Sequence, residues 1–270
     1  MIRIFSILVG LFFTVALLWS FGNGAYNQIT DPAPESAEEM FHKHPKALSL
    51  ASDGPFGNFD HQQLQRGFQV YQEVCAACHS LKLVAYRDLK QLGYNDDEVK
   101  AIAAKAQVPV YDPMTGEVKS HAGLATDHFP PVVYGGQGTP PDLSLITKAR
   151  HGGASYTYSL LTGYQNQPAD LVKKFPDMKT PEGAHYNPYF ANLNIAMPPP
   201  LTGEGQVTYS DGTKATVDQM SKDVSAFLVW TAEPTLAKRH QTGWPVVLFL
   251  LFATILAYLS YRNIWADKKH

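Results

Sequence analysis

Cysteine is scarce in this chain: 270 residues contain only two, so a disulfide framework is out of reach and any cysteine chemistry falls to one pair. Charge is scarce as well. Charged residues make up 17% of the sequence, 22 basic side chains stand against 24 acidic ones, and the formal net charge of −2 gives no electrostatic basis for binding nucleic acid. No internal repeat is present, and neither a Ser-His-Asp signature, a phosphate loop nor an H-E-x-x-H motif supplies hydrolytic or nucleotide chemistry. What is plentiful is glycine and proline, 20 and 19 respectively, which makes the chain loop-rich without the composition of a disordered one.

The apolar residues are concentrated at the two ends. Ile4 to Phe21 and Trp244 to Tyr261 are runs of 18 residues without a charge, each about the minimum for crossing a hydrocarbon core of roughly 30 Å as a helix. The second run opens with Trp244 and Pro245, with the proline expected at a first helical position, and closes with Tyr258, Tyr261 and Trp265. It reads as a transmembrane anchor over residues 241–262, followed by a tail at 263–270. Arg262, Lys268 and Lys269 after the run outnumber Lys238 and Arg239 before it, which favours a cytoplasmic tail by one charge. The first run follows Met1-Ile2-Arg3, and residues 1–25 read as a signal peptide or a retained amino-terminal anchor. Gly22-Asn23-Gly24 is a poor match to a small-residue cleavage site. Both readings export a globular domain at 26–240, whose neighbourhood from 23 to 240 is acidic, with 18 basic against 23 acidic side chains. Two acidic triplets, Glu35, Glu38, Glu39 and Asp96, Asp97, Glu98, read as solvated faces or as charges that steer a basic partner.

Both cysteines fall in Cys75-Ala76-Ala77-Cys78-His79. The C-x-x-C-H spacing lets two thiols add to the vinyl groups of one haem while the adjacent imidazole reaches its iron. A zinc site would need a second pair of ligands at finger spacing, a thioredoxin-like pair has no use for His79, and a disulfide across two residues would be strained. Gln62 to Val74 reads as a helix with Leu64, Phe68 and Tyr71 on one face, and the thiols stand at its end. Gly67 inside it costs about 1 kcal/mol relative to alanine, a cost that makes sense if another helix approaches there. A partner begins at Thr216, with Gln219 three residues on as a capping-box pattern, and runs through Met220, Val224, Phe227 and Leu228 to a stop at Pro234. Val207 to Ala215, centred on Asp211-Gly212, reads as a small β-hairpin.

One imidazole leaves the sixth iron position open, and its occupant separates an electron carrier from a gas binder or an enzyme. Met197 stands in an aperiodic stretch ahead of Pro198, Pro199 and Pro200, which fix the backbone after the sulfur. Local sequence leaves it equally readable as core filler. His121, His128, His151 and His185 are alternatives, each also readable as a surface or hydrogen-bonded residue, with His151 beside Gly152-Gly153 in a turn.

The segment from Arg66 through Cys75-Ala76-Ala77-Cys78-His79 to Ser80 resembles the haem segment of cytochrome c1. Three further blocks agree in order. They are Pro140-Pro141-Asp142-Leu143-Ser144 with Ala149-Arg150-His151-Gly152-Gly153 running to Gly163-Tyr164, then Asn187-Pro188-Tyr189-Phe190 through Met197-Pro198-Pro199, then Lys222-Asp223-Val224 to Ala232-Glu233-Pro234. The similarity covers about residues 52–262. It implies that Met197 is the sixth ligand opposite His79, that Arg150 pairs with a haem propionate, and that Tyr156 and Pro141 line the pocket. Tyr134-Gly135-Gly136-Gln137-Gly138-Thr139 departs from the pattern, standing where the family carries asparagines near the haem. Some bacterial relatives add a disulfide; here both cysteines belong to the haem motif, so any clamp on the Met197 segment is non-covalent.

The expected fold is mostly α: a class I-like cytochrome c domain with long loops and a small hairpin, a carboxyl-terminal transmembrane helix and an amino-terminal signal or anchor helix. The resemblance implies the haem subunit of a quinol:cytochrome c oxidoreductase of bacterial type, in the inner membrane with the haem domain on the periplasmic side. Such a subunit carries one covalent haem c and passes one electron from a Rieske iron-sulfur protein to a cytochrome c, beside a cytochrome b in a dimeric complex. Two other readings share the motif: a stand-alone tethered monohaem carrier, and a gas sensor or enzyme with an open sixth position. The 80–196 insert between His79 and Met197 is longer than a solitary carrier needs.

Overall fold

A computed structural model describes all residues except Met1, Ala33, Asp112, Gln137, Lys269 and His270. The Lys269 counted for orientation and the Gln137 of the divergent stretch therefore lie outside the described residues. The chain divides into two compact units, one up to Phe41 and one from His42 onward.

The first unit holds α1 (Ile2–Thr30) and α2 (Ala37–Phe41). α1 outruns the 18-residue apolar stretch and is long and apolar enough to cross a membrane. At α2 the first acidic triplet begins a helix: Ser36 N–H donates to Glu39, and Glu39 N–H donates back to the Ser36 hydroxyl.

The second unit runs α3 (His61–Val70), α4 (Asp96–Ala104), β1 (Gln107–Tyr111), β2 (Val118–Ala122), α5 (Ile146–Ala149), α6 (Gly153–Leu161), α7 (Ala169–Lys174), β3 (His185–Tyr186), β4 (Asn194–Ile195), α8 (Val217–Ala232) and α9 (Leu236–Trp265). The strands form two separate antiparallel pairs, β1 with β2 and β3 with β4. Helices thus carry the fold, and loops connect them.

α3 and α8 make the central contact, as the spacing of their apolar residues predicts. Asp60 caps α3 by accepting from the N–H groups of Gln62 and Gln63, and Leu64 and Phe68 turn inward. Thr216 caps α8 by accepting from Gln219 N–H, while Met220, Val224, Phe227 and Leu228 are all buried. The capping box is half-formed, because the Gln219 amide reaches forward to Asp223 instead of back to the cap. Phe68, Tyr71, Phe129, Phe227 and Trp230 fill the crossing with ring contacts, and Trp230 donates to Gln91 at 3.1 Å. At the crossing the carboxylate of Asp223, wholly buried, meets Arg66 at 2.9 Å and two glutamine amides, while Arg66 also holds Asp211 at 2.7 Å.

Three local expectations change. Val207 to Ala215 forms no strands: the turn at Asp211 exists and Gly212 has φ +79°, but Asp211 accepts from Thr213 N–H and from Arg66. Val207, Tyr209 and Ala215 are buried in the core, so side-chain packing replaces a ladder there. The observed hairpin lies at β1 and β2, inside the long insert. Second, the helix bearing the cysteines ends as α at Val70 and widens into one π turn over Tyr71–Cys75, with Ala76 N–H donating to Tyr71. Third, α9 starts at Leu236, so Pro245 lies inside the helix, not at its first position. Proline lacks the N–H that would bond the carbonyl of residue 241, a loss tolerated near the end of a spanning helix. α9 too is long and apolar enough to cross a membrane.

The second acidic triplet also starts a helix. Asn95 accepts from Asp97 and Glu98 N–H and receives the Glu98 carboxylate on its own N–H, so the triplet lies at the positive end of α4. Lys90 and Lys100 pair with Asp96 and Asp97.

Candidate functional site

The π turn that follows α3 ends at Cys75, and one further turn of backbone, closed by Cys78 and His79 N–H on the Cys75 carbonyl, brings round the second thiol and the imidazole. Both cysteines are free thiols. Burial, then the neighbouring Cys78, pushes the Cys75 thiol up to about 12, unlike the lowered values of redox-active or nucleophilic cysteines. Tyr71 donates its hydroxyl to the His79 carbonyl at 3.0 Å, and burial followed by Cys75 raises this phenol well above its ordinary value.

His79 Nδ1 lies 2.7 Å from the Pro141 carbonyl oxygen. A carbonyl accepts only, so Nδ1 carries the proton and Nε2 keeps its lone pair. This is how a ligating histidine is held: the second nitrogen fixes tautomer and ring orientation. Pro141 is itself pinned. Asp142 accepts from Ser80 Oγ and Lys82 N–H at 2.8 Å and from Ser144 N–H at 3.0 Å, while Leu143 N–H donates to Ser80 and Leu83 N–H to Ser144 Oγ. Burial works against the Asp142 carboxylate, but these donors outweigh it and hold its pKa below the ordinary 3.8. Asp142 and Ser144 stood in the quoted block without a role; their bonds span about 60 positions, and only their side by side spacing in Pro-Pro-Asp-Leu-Ser hinted at an Asx turn.

Met197 lies half-buried after β4. Leu193, just before β4, is buried with φ +65°, a left-handed conformation held by Asn187 N–H donating to its carbonyl and its own N–H donating to Phe190. Tyr164 donates its hydroxyl to the Met197 carbonyl at 3.1 Å, a non-covalent clamp on the segment. Burial, then Tyr156, raises the Tyr164 phenol. Tyr156 is raised by burial against the pull of the Arg150 guanidinium at its hydroxyl. Arg150 itself is exposed and bonds the Ala149 carbonyl at 3.2 Å. Gly138, two residues before Pro140, has φ +78°, and a Cβ there would lie 4.0 Å from the side chain of Ala196, the residue before Met197.

Of the four alternative histidines, His121 and His185 have side-chain contacts away from the haem motif. His121 faces Asp127 at 3.6 Å and the Ala122 carbonyl at 2.7 Å, His128 lies in a bridge to Ala85, His185 sits against the Tyr164 ring, and His151 is in the turn before Gly152. Among the described residues no three His, Cys, Asp or Glu gather to hold a bare metal ion. Two free thiols on one turn and an imidazole with its Nδ1 already bonded suit a porphyrin-borne iron instead.

Residues 50–268 match the family described as the Cytochrome C1 family. Cytochrome c1 of Rhodospirillum rubrum is 43% identical over 80% of this chain and 86% of its own. A mitochondrial cytochrome c1 of Arabidopsis thaliana is 43% identical over 80% and 71%, and that of Saccharomyces cerevisiae 40% identical over 90% and 76%. The haem motif, the pinned imidazole and this agreement along four-fifths of the chain lead to one statement: the protein belongs to the cytochrome c1 family, whose members are c-type haem subunits of the cytochrome bc1 complex.

Proposed function

We propose that this chain transfers one electron at a time from a Rieske iron-sulfur protein to a cytochrome c, beside a cytochrome b in a dimeric complex of the bacterial inner membrane. In this reading Cys75 and Cys78 would hold a single haem c through their sulfur atoms, and His79 Nε2 and the Met197 sulfur would ligate its iron. The observation that carries it is the 2.7 Å contact between His79 Nδ1 and the Pro141 carbonyl, which leaves Nε2 free to ligate in a fixed orientation. When bound, the haem supplies reversible one-electron redox chemistry, and the thioether ligand favours its ferrous state more than a second imidazole would.

The remaining residues hold and orient. The Asp142 bonds keep the Pro141 carbonyl against the imidazole, so the ring does not reorganise between oxidation states. The Tyr164 hydroxyl and the three prolines after Met197 fix the segment that presents the sulfur. Arg150 offers its guanidinium to a propionate, with Tyr156 beside it as the pocket wall. α9 anchors the domain, which stands on the periplasmic side over residues 26–240 with the anchor at 241–262. No general acid or base is required, because no bond to a substrate is made or broken.

The test is carbon monoxide binding by the reduced protein, in wild type and in Met197→Leu. Wild type excludes carbon monoxide, and the variant binds it with loss of the weak long-wavelength band of methionine-ligated ferric haem. Binding by wild type overturns the ligand assignment and moves a gas-binding function ahead.

A further inference from the structure

Where α9 leaves the globular unit, its first turns and the loop of Pro55, Phe56 and Gly57 enclose an open cavity of about 630 Å³. The loop is built into place. His240 Nδ1 bonds the Gly57 carbonyl at 2.8 Å, and Trp244 Nε1–H donates to the Pro55 carbonyl at 3.2 Å. The Trp244 and Phe56 rings stack with centroids 4.9 Å apart and 13° between their planes. Gly57 is needed for this path, since a Cβ there would lie 2.2 Å from the Ser52 carbonyl oxygen.

Polarity changes along the cavity in one direction. Trp244 opens the uncharged run of α9, and it and Phe56 remain 41% and 77% exposed despite their stacking, which leaves an apolar wall facing outward. Lys238 lies six residues earlier, about 9 Å along the helix axis. With Trp244 at the edge of the hydrocarbon, this cation stands at headgroup level. Among the described residues no carboxylate pairs with Lys238, whereas its neighbour Arg239 is bound to Glu233.

We propose that this cavity binds the phosphate headgroup of an anionic phospholipid, with Lys238 as its counter-charge and the stacked Phe56 and Trp244 rings against the first acyl carbons. An aromatic wall alone would take any lipid; the unpaired cation selects net negative charge. The site depends on the spanning helix and not on the haem assignment.

The test is native mass spectrometry of the full chain in detergent, titrated with phosphatidylglycerol and, separately, phosphatidylcholine of the same acyl chains. Wild type binds phosphatidylglycerol more tightly than phosphatidylcholine. Lys238→Gln weakens phosphatidylglycerol binding about fivefold, the change one charge contact supplies. Lys238→Arg restores it, and Lys148→Gln, which removes a surface cation paired with Glu233, leaves it unchanged. An unchanged thermal midpoint in each variant shows that the fold is intact. Equal affinity for the two lipids, or equal phosphatidylglycerol binding by wild type and Lys238→Gln, overturns the proposal. Displacement by inorganic phosphate at the same concentration overturns it too, because the site would then take a free anion.

Discussion

Gly67 of α3 lies directly against the main chain of Asp223 in α8: a Cβ at position 67 would sit 2.0 Å from the Asp223 carbonyl oxygen and 2.7 Å from Phe227 Cβ. The two helices touch backbone to backbone at this point, which sets the path of the helix that ends in Cys75. Gly67→Ala must force them apart, because neither a carbonyl nor a Cβ can swing away as the end of a long side chain can. The expected cost is about 1–3 kcal/mol, despite alanine's better helix propensity. Guanidinium unfolding followed by circular dichroism measures it, and an unchanged midpoint would show that the contact constrains nothing.

The ion pair at the same crossing predicts an asymmetry. Arg66→Met leaves the fully buried Asp223 carboxylate with amide donors alone, and breaking such a pair from one side costs about 3–5 kcal/mol. Adding Asp223→Asn removes the uncompensated charge and recovers part of the loss. Denaturant midpoints of the two variants test this; a double variant no more stable than Arg66→Met would mean that charge is not the cause.

Asp142 predicts a pH dependence. Its folded pKa lies below the ordinary 3.8, so the folded protein favours the ionised form. The resulting stabilisation is complete above the unfolded value and is lost as the pH falls through the folded one. The difference in unfolding midpoint between wild type and Asp142→Asn should therefore hold steady from about pH 7 to pH 5 and shrink below about pH 4. A difference that persists unchanged into acid would sink the idea.

Tyr164→Phe removes the one hydroxyl that donates to the Met197 carbonyl. A hydrogen bond of this kind contributes about 1 kcal/mol, close to fivefold in the balance between held and released segment. Stopped-flow mixing of the oxidised protein with imidazole, which takes the place of a released methionine, should show an exchange rate about fivefold above wild type, with the fold retained. A rate equal to that of wild type means that the prolines alone hold the segment.

Sequence reasoning reached the elements whose cause is local. Thr216 caps its helix and Pro234 follows its end, Gly67 lies where a second helix approaches, and both terminal runs are helices of spanning length. It failed where a local signal competed with packing. Asp211-Gly212 made its turn, but Val207 and Tyr209 were drawn into the core and Asp211 to Arg66, so no ladder formed. The hairpin at β1 and β2 had a readable turn signal in Asp112-Pro113 and Gly116 but exposed, weakly alternating strands, and the π turn before Cys75 has no sequence signature to read.

The candidate site divides in the same way. The sequence by itself determined which atoms are on offer: two thiols and an imidazole at fixed spacing, a methionine ahead of three prolines, and uncharged runs of spanning length. Spacing along the chain and hydropathy are properties of neighbours, and neighbours are written in order. Only the tertiary structure decided that the Pro141 carbonyl, 62 positions from His79, fixes its tautomer, and that Asp142 holds that carbonyl in place. It also decided that Tyr164 reaches back to Met197 across 33 positions. Such bonds depend on the path the whole chain takes around its core, and that path is set by packing at the α3–α8 crossing, not by any residue's immediate neighbours.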